Sequence, residues 1–143
     1  MALQFLSPLH KASRQLSVYL ETHTRELGVS PSEGHLISYL RSYAPAPVGE
    51  LVRVFGMKQS TLTSMLDRLE RDGFLRRAVN PDDRRSFLLH VTDAGVELAE
   101  RLNGRLTQLE AEIRARVSDA DMDGFRAVMA AVDEVTRVQL RER

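Results

Sequence analysis

Residues 48–55 read VGELVRVF, residues 56–58 GMK, residues 59–72 QSTLTSMLDRLERD, and residues 73–91 GFLRRAVNPDDRRSFLLHV. The first and third of these blocks carry apolar residues at three- and four-residue steps, so each predicts a short amphipathic helix. Only Gly56-Met57-Lys58 separates them, which makes the unit a helix, a tight turn and a second helix. Gly73 stops the second helix. Phe74–Val79 and Ser86–Val91 then alternate as two short strands around Asn80-Pro81-Asp82-Asp83-Arg84-Arg85, a polar, charged hairpin tip. This order of elements is a winged helix-turn-helix, whose second helix is shaped to lie in the major groove of double-stranded DNA.

The charge pattern agrees with that use. From Gly56 to Met65 there is no acid, while Lys58, Gln59, Ser60, Thr61, Thr63 and Ser64 present hydrogen-bonding groups. Asp67, Glu70 and Asp72 come later. A helix amino terminus carries a positive partial charge and unpaired N–H groups, so a phosphate is welcome at that end. The expected contacts of the second helix are Lys58, Gln59, Ser60, Thr61, Ser64 and Arg68. On the hairpin, Arg84 and Arg85 are guanidinium groups on a thin loop, suited to phosphate or a narrow minor groove, and Asp83 is expected to brace Arg85 through a forked pair.

Outward from this unit the chain is helical. Leu6, Leu9, Leu16, Tyr19, Leu20 and Leu27 share one face of a helix over Leu3–Leu27, which Gly28 ends. Ser30-Pro31-Ser32-Glu33 starts another helix, running to about Tyr43, and Ala44-Pro45-Ala46-Pro47 is read as a connector. Thr92 with Asp93 caps a long helix bearing Leu98, Leu102, Leu106, Leu109, Ile113 and Val117. Ser118 with Asp119 and Asp121 caps a last helix bearing Met122, Phe125, Met129 and Val132. The first and last two helices carry more apolar surface than the middle of the chain can cover, so a homodimer is expected, with Met122, Phe125 and Met129 at its seam.

The fold class predicted is therefore mainly α: a winged helix-turn-helix lobe with a two-stranded wing over 30–95, between dimerisation helices over 1–29 and 96–143, all one integrated domain. The 143 residues exclude a barrel enzyme or a full dinucleotide-binding fold. Hydrophobic residues are 43% and charged residues 28%, as in folded globular proteins, and the formal charge is zero. There is no Cys, which excludes disulfides, thiolate-bound zinc and thiol redox chemistry. His10, His23, His35 and His90 are scattered without paired spacing, so no metal site is expected, nor any cofactor. No catalytic constellation or phosphate-cradling glycine loop appears, so no enzyme is expected. With no signal peptide or membrane-spanning run, a cytoplasmic protein without a membrane partner is expected.

The stretches Val48-Gly49-Glu50-Leu51, Leu62–Glu70, Gly73-Phe74-Leu75, Arg77, Pro81, Asp83-Arg84-Arg85 and Leu89–Gly95 strongly resemble the multiple antibiotic resistance regulator (MarR) family. The layout matches over the whole chain, most specifically from Val48 to Gly95. What the resemblance implies is a homodimeric transcription factor, usually a repressor, released from DNA by a small molecule such as a phenolic compound. It places the start of the recognition helix near Gln59 and the wing motif Asp-x-Arg on Asp83 and Arg85. It also implies an effector pocket between the dimer helices and the DNA-binding lobe, for which His35 and Tyr39, four apart, are the candidates. Two positions depart from the family. Pro47 and Lys58 stand where hydroxyl caps are common, and each missing cap costs about 1 kcal/mol. Without Cys, the peroxide-sensing branch is excluded. The alternative function is a winged-helix module that binds protein instead of DNA, which the neutral charge permits.

Overall fold

The computed structural model describes residues 3–138. Residues 1, 2 and 139–143, the outer ends of the expected 1–29 and 96–143 segments, lie outside the described residues. The elements in chain order are α1 (Leu6–Glu26), α2 (Pro31–Tyr43), β1 (Ala46–Pro47), α3 (Val48–Phe55), α4 (Gln59–Arg71), β2 (Leu75–Val79), β3 (Phe87–Val91), α5 (Asp93–Arg114) and α6 (Asp119–Thr136). Helix starts follow the capping chemistry. Ser30 accepts from the Glu33 N–H at 3.2 Å with Pro31 in the first position, and Thr92 accepts from the Gly95 N–H at 3.1 Å. Pro47 and Lys58 make no side-chain cap bond, so the first N–H groups of α3 and α4 are left to other partners. Gly56 closes α3 in the left-handed region at φ 61°, a conformation that glycine reaches without a Cβ penalty.

The wing has three strands, not the two expected, in the order β1-β3-β2. Ala46 and Pro47 pair antiparallel with Leu89 and Leu88, and β2 pairs with β3 from Leu75–Val91 to Val79–Phe87. A two-residue strand with a proline has no periodicity of its own. It forms because Ala46 is buried against the core, and because Pro47, on an edge, needs no ladder N–H.

One core joins α2, α3, α4, the sheet and the first half of α5, built from Leu36, Ile37, Leu40, Leu51, Leu62, Leu66, Leu69, Leu75, Leu89, Leu98, Ala99 and Leu102. The first half of α5 is thus integral to the lobe that positions α4. Its second half, α1 and α6 are different. No described residue of α6 is buried and only Thr24 is buried in α1, while Leu16, Ile113, Phe125 and Val128 stand exposed.

The turn into α6 is a complete capping box. The Ser118 N–H and hydroxyl donate to Asp121 Oδ2 at 2.8 and 2.7 Å, and the Asp121 N–H donates to Ser118 Oγ at 3.1 Å. Hydrogen bonding from the Ser118 backbone, then from its hydroxyl, holds the Asp121 carboxyl below the ordinary aspartate range. A depressed folded pKa contributes stability above the unfolded value, about 3.9, and that contribution disappears as pH falls through the folded value. Asp121→Asn is therefore expected to lower the Tm at neutral pH, with the gap to the parent protein closing below about pH 4. Thermal melts across pH 2–7 check this, and a gap of constant size down to the acid limit would disprove it.

Candidate nucleic-acid interface

Helix α4 is cleanly two-faced. Leu62, Met65, Leu66 and Leu69 are buried, and Lys58, Gln59, Ser60, Thr61, Thr63, Ser64, Asp67 and Arg68 are exposed. At roughly 100° per residue the exposed crest carries Ser60 and Ser64, with Gln59 and Thr63 on one flank and Thr61 and Arg68 on the other. The Ser64 hydroxyl donates to the Ser60 carbonyl at 3.1 Å, leaving its lone pairs to accept.

The wing folds over the Gln59 flank. A groove of about 480 Å³ opens between α3, α4 and the hairpin, lined by Val48, Val52, Gln59, Thr63, Arg77, Arg85 and Phe87 among others. Gln59 and Arg85, twenty-six positions apart in sequence, meet there. The hairpin tip is preorganised by short-range bonds. Asn80 Oδ1 accepts from the Asp82 N–H at 3.0 Å, and the Asp83 carbonyl accepts from the Ser86 N–H and hydroxyl at 3.0 and 3.1 Å. The expected forked pair between Asp83 and Arg85 is replaced by a different bond. Asp83 Oδ1 accepts from the backbone N–H of Arg85 at 3.0 Å, and among the described residues no ion pair joins their side chains. Two residues apart in a tight turn, an Asp carboxylate reaches the main chain more readily than the guanidinium. Arg84 is exposed beside it.

Two residues outside the expected site belong to this surface. Thr63 lies one turn beyond Gln59, and the four-residue spacing was the signal available for it. Arg77 fastens the wing to α4: its guanidinium donates to Asp67 Oδ1 at 2.6 Å, and its backbone N–H donates to Glu70 Oε2 at 3.0 Å. Nothing in the local sequence pattern marks that pairing, which spans a helix end and a turn. Arg68 turns the other way and comes within 3.6 Å of Glu33 on α2.

The structure separates His35 and Tyr39. Tyr39 is 2% exposed, packed in the core against the rings of Tyr43 and Phe55 at 4.5 and 5.5 Å. His35 is exposed and lines a small cavity of about 30 Å³ with Leu20, Thr24, Pro31, Gly34, Ser38, Leu102 and Leu106. The helix turn that aligns positions four apart only places both on one side of α2, and the packing of α3 against Tyr39 divides that side. No group of three or more potential metal ligands occurs among the described residues.

Residues 29–87 match the family model described as "MarR family". Similarity extends beyond that segment: HTH-type transcriptional regulator PecS of Dickeya dadantii is 36% identical over 92 residues, 64% of this chain and 55% of that protein. The chain matches between 55% and 62% of the length of three such curated relatives. Among solved structures, the S. aureus MepR–DNA complex superposes with a TM-score of 0.83 at 15% identity, covering 94% of this chain and 99% of that one. A mutant of E. coli MarR superposes with a TM-score of 0.79 at 22% identity, covering 92% and 98%. The winged-helix fold shared with these structures therefore extends over α1, α5 and α6 as well as the matched residues.

Proposed function

We propose that this chain is a DNA-binding transcriptional regulator that acts as a homodimer, represses from a near-palindromic operator and is released by a small-molecule effector. The observation that carries the reading is the convergence of Gln59 and Thr63 of α4 with Arg85 of the wing on one groove, beside a helix start with no acid and no side-chain cap. Such a surface offers base-reading groups and a phosphate-seeking cation together. The named relative PecS is itself a transcriptional regulator, and MepR is captured on DNA. The residues proposed to meet DNA are Lys58, Gln59, Ser60, Thr61, Thr63 and Ser64 on α4, with Arg84 and Arg85 on the wing and Asp83 shaping its tip.

Dimerisation is supported by the uncovered apolar faces. Leu16, Leu106, Leu109, Ile113, Val117, Met122 and Phe125 line an open groove of about 510 Å³ between α1, α5 and α6, a continuous apolar face that a second copy of the chain would cover. Two-fold symmetry then demands two half-sites about one helical turn apart, roughly 10 base pairs. For effector release, the cavity beside His35 has room for about one water, far less than an aromatic ring. An effector entering there must part α1 and α5 from α2, and so binds an arrangement other than this one more tightly.

The test is selection from a random duplex library, followed by sedimentation and binding at several salt concentrations. The expected result is an enriched near-palindrome, a particle of about twice 16.2 kDa and affinity that falls steeply with salt. A folded monomer at micromolar concentration that enriches no duplex would replace this reading with the protein-binding module.

A further inference from the structure

Glu33 is only 7% exposed, an unusual burial for a carboxylate, and it lies in the first turn of α2. Its backbone N–H is satisfied by Ser30, while the carboxylate meets Arg68 of α4 at 3.6 Å; the exposed fractions of the two side chains are 10% and 45%. A buried carboxylate is costly without a cationic or hydrogen-bonding partner. Each charge also suits its own helix: an acid in the first turn of α2 and a base in the last turn of α4. On α4, Arg68 is turned roughly 60° from the middle of the Ser60–Ser64 crest, on the side of α2. On the opposite flank, Asp67 and Glu70 hold Arg77 of the wing. The second half of α4 is thus fastened on both sides, and the two ties together set its rotation about its own axis.

We propose that Glu33 is a positioning residue for the reading helix, acting through Arg68, and that Arg68 serves this tie and not a DNA contact. The inference rests on the reading of α4 as the DNA-reading helix. It changes what Arg68 does: as a phosphate contact it would add a cation to the interface, whereas as a tie it holds Ser60 and Ser64 at the angle from which they meet base edges.

The test is a double-mutant cycle of Glu33→Gln, Arg68→Gln and the pair in the full-length protein, measured as affinity for the selected duplex across salt concentrations, alongside Tm. The expected result is that each single variant weakens binding by about three- to five-fold, that the double variant binds no worse than the weaker single, and that the salt slope is unchanged. A salt slope lowered by about one unit in Arg68→Gln, with Glu33→Gln binding as well as or better than the parent, makes Arg68 a phosphate contact and overturns the proposal. Independent, additive losses overturn it too. So does a lowered Tm with unchanged affinity well below the melting range, since that describes a stabilising pair without influence on reading. If the parent protein selects no duplex, the DNA reading fails by itself. The cycle in Tm then still reports whether the two side chains are coupled, and absence of coupling would refute the tie.

Discussion

Gly95→Ala is expected to destabilise the protein by about 2 kcal/mol: an overpacking cost of about 3 kcal/mol, offset by about 1 kcal/mol for replacing glycine inside a helix. A Cβ on Gly95 would fall inside the van der Waals envelope of the Phe74 carbonyl oxygen and 2.7 Å from Val91 Cγ1. That carbonyl cannot move aside cheaply, because it accepts the Thr92 N–H at 3.1 Å. The Thr92 hydroxyl, in turn, donates to the Gly73 carbonyl at 2.6 Å while capping the Gly95 N–H. The end of α4, the start of the wing and the start of α5 therefore meet at a single backbone junction. Gly104, on the same helix, has open space where its Cβ would go, so Gly104→Ala serves as the control and is expected to hold or raise the Tm. A melt of Gly95→Ala that matched or exceeded the parent protein would show that the junction is not close-packed.

Arg85→Ala is expected to weaken binding to the selected operator and to scrambled duplex alike, by on the order of ten-fold per wing, the value of one charge-assisted hydrogen bond. The salt slope should fall by about one unit per protomer. The guanidinium can do this because Asp83 spends its carboxylate on the Arg85 backbone N–H and leaves the side chain at the groove it shares with Gln59. Gln59→Ala should behave differently, lowering the preference for operator over scrambled duplex with little change in nonspecific affinity. Binding isotherms of both variants on both duplexes, at several salt concentrations, separate the two roles. Unchanged affinity and slope for Arg85→Ala on both DNAs would reduce the hairpin to a solvated turn.

Much of the architecture was legible because its causes are local. The periodicity of Leu51, Leu62, Leu66 and Leu69, the stop at Gly56 and the caps at Ser30, Thr92 and Ser118 each act within one or two turns of chain, so α2 to α6 fell close to where residue patterns place them. The polar crest of α4 was legible for the same reason. What escaped local reading involves partners distant in sequence. Ala46–Pro47 is a strand only because Leu88 and Leu89 pair with it. Arg77 is a brace only because α4 brings Asp67 and Glu70 beneath it. His35 and Tyr39, set four apart as a pocket pair, are split by the packing of Phe55 against the Tyr39 ring.

By itself, the sequence of this protein determined the order and type of its helices, the polarity of the exposed face of α4 and the absence of thiol chemistry, since all three depend on residue identity and on spacings of one or two helix turns or a hairpin. Only the tertiary structure decided which charges become ties and which stay at the surface. Asp83, Arg68 and Arg77 are all charged residues near the same helix and wing. Whether each meets a backbone N–H, a buried carboxylate or a paired acid depends on which elements the shared core of Leu36, Leu62, Leu66 and Leu89 brings within a few ångströms, and Coulomb and hydrogen-bond energies are decisive only over that range.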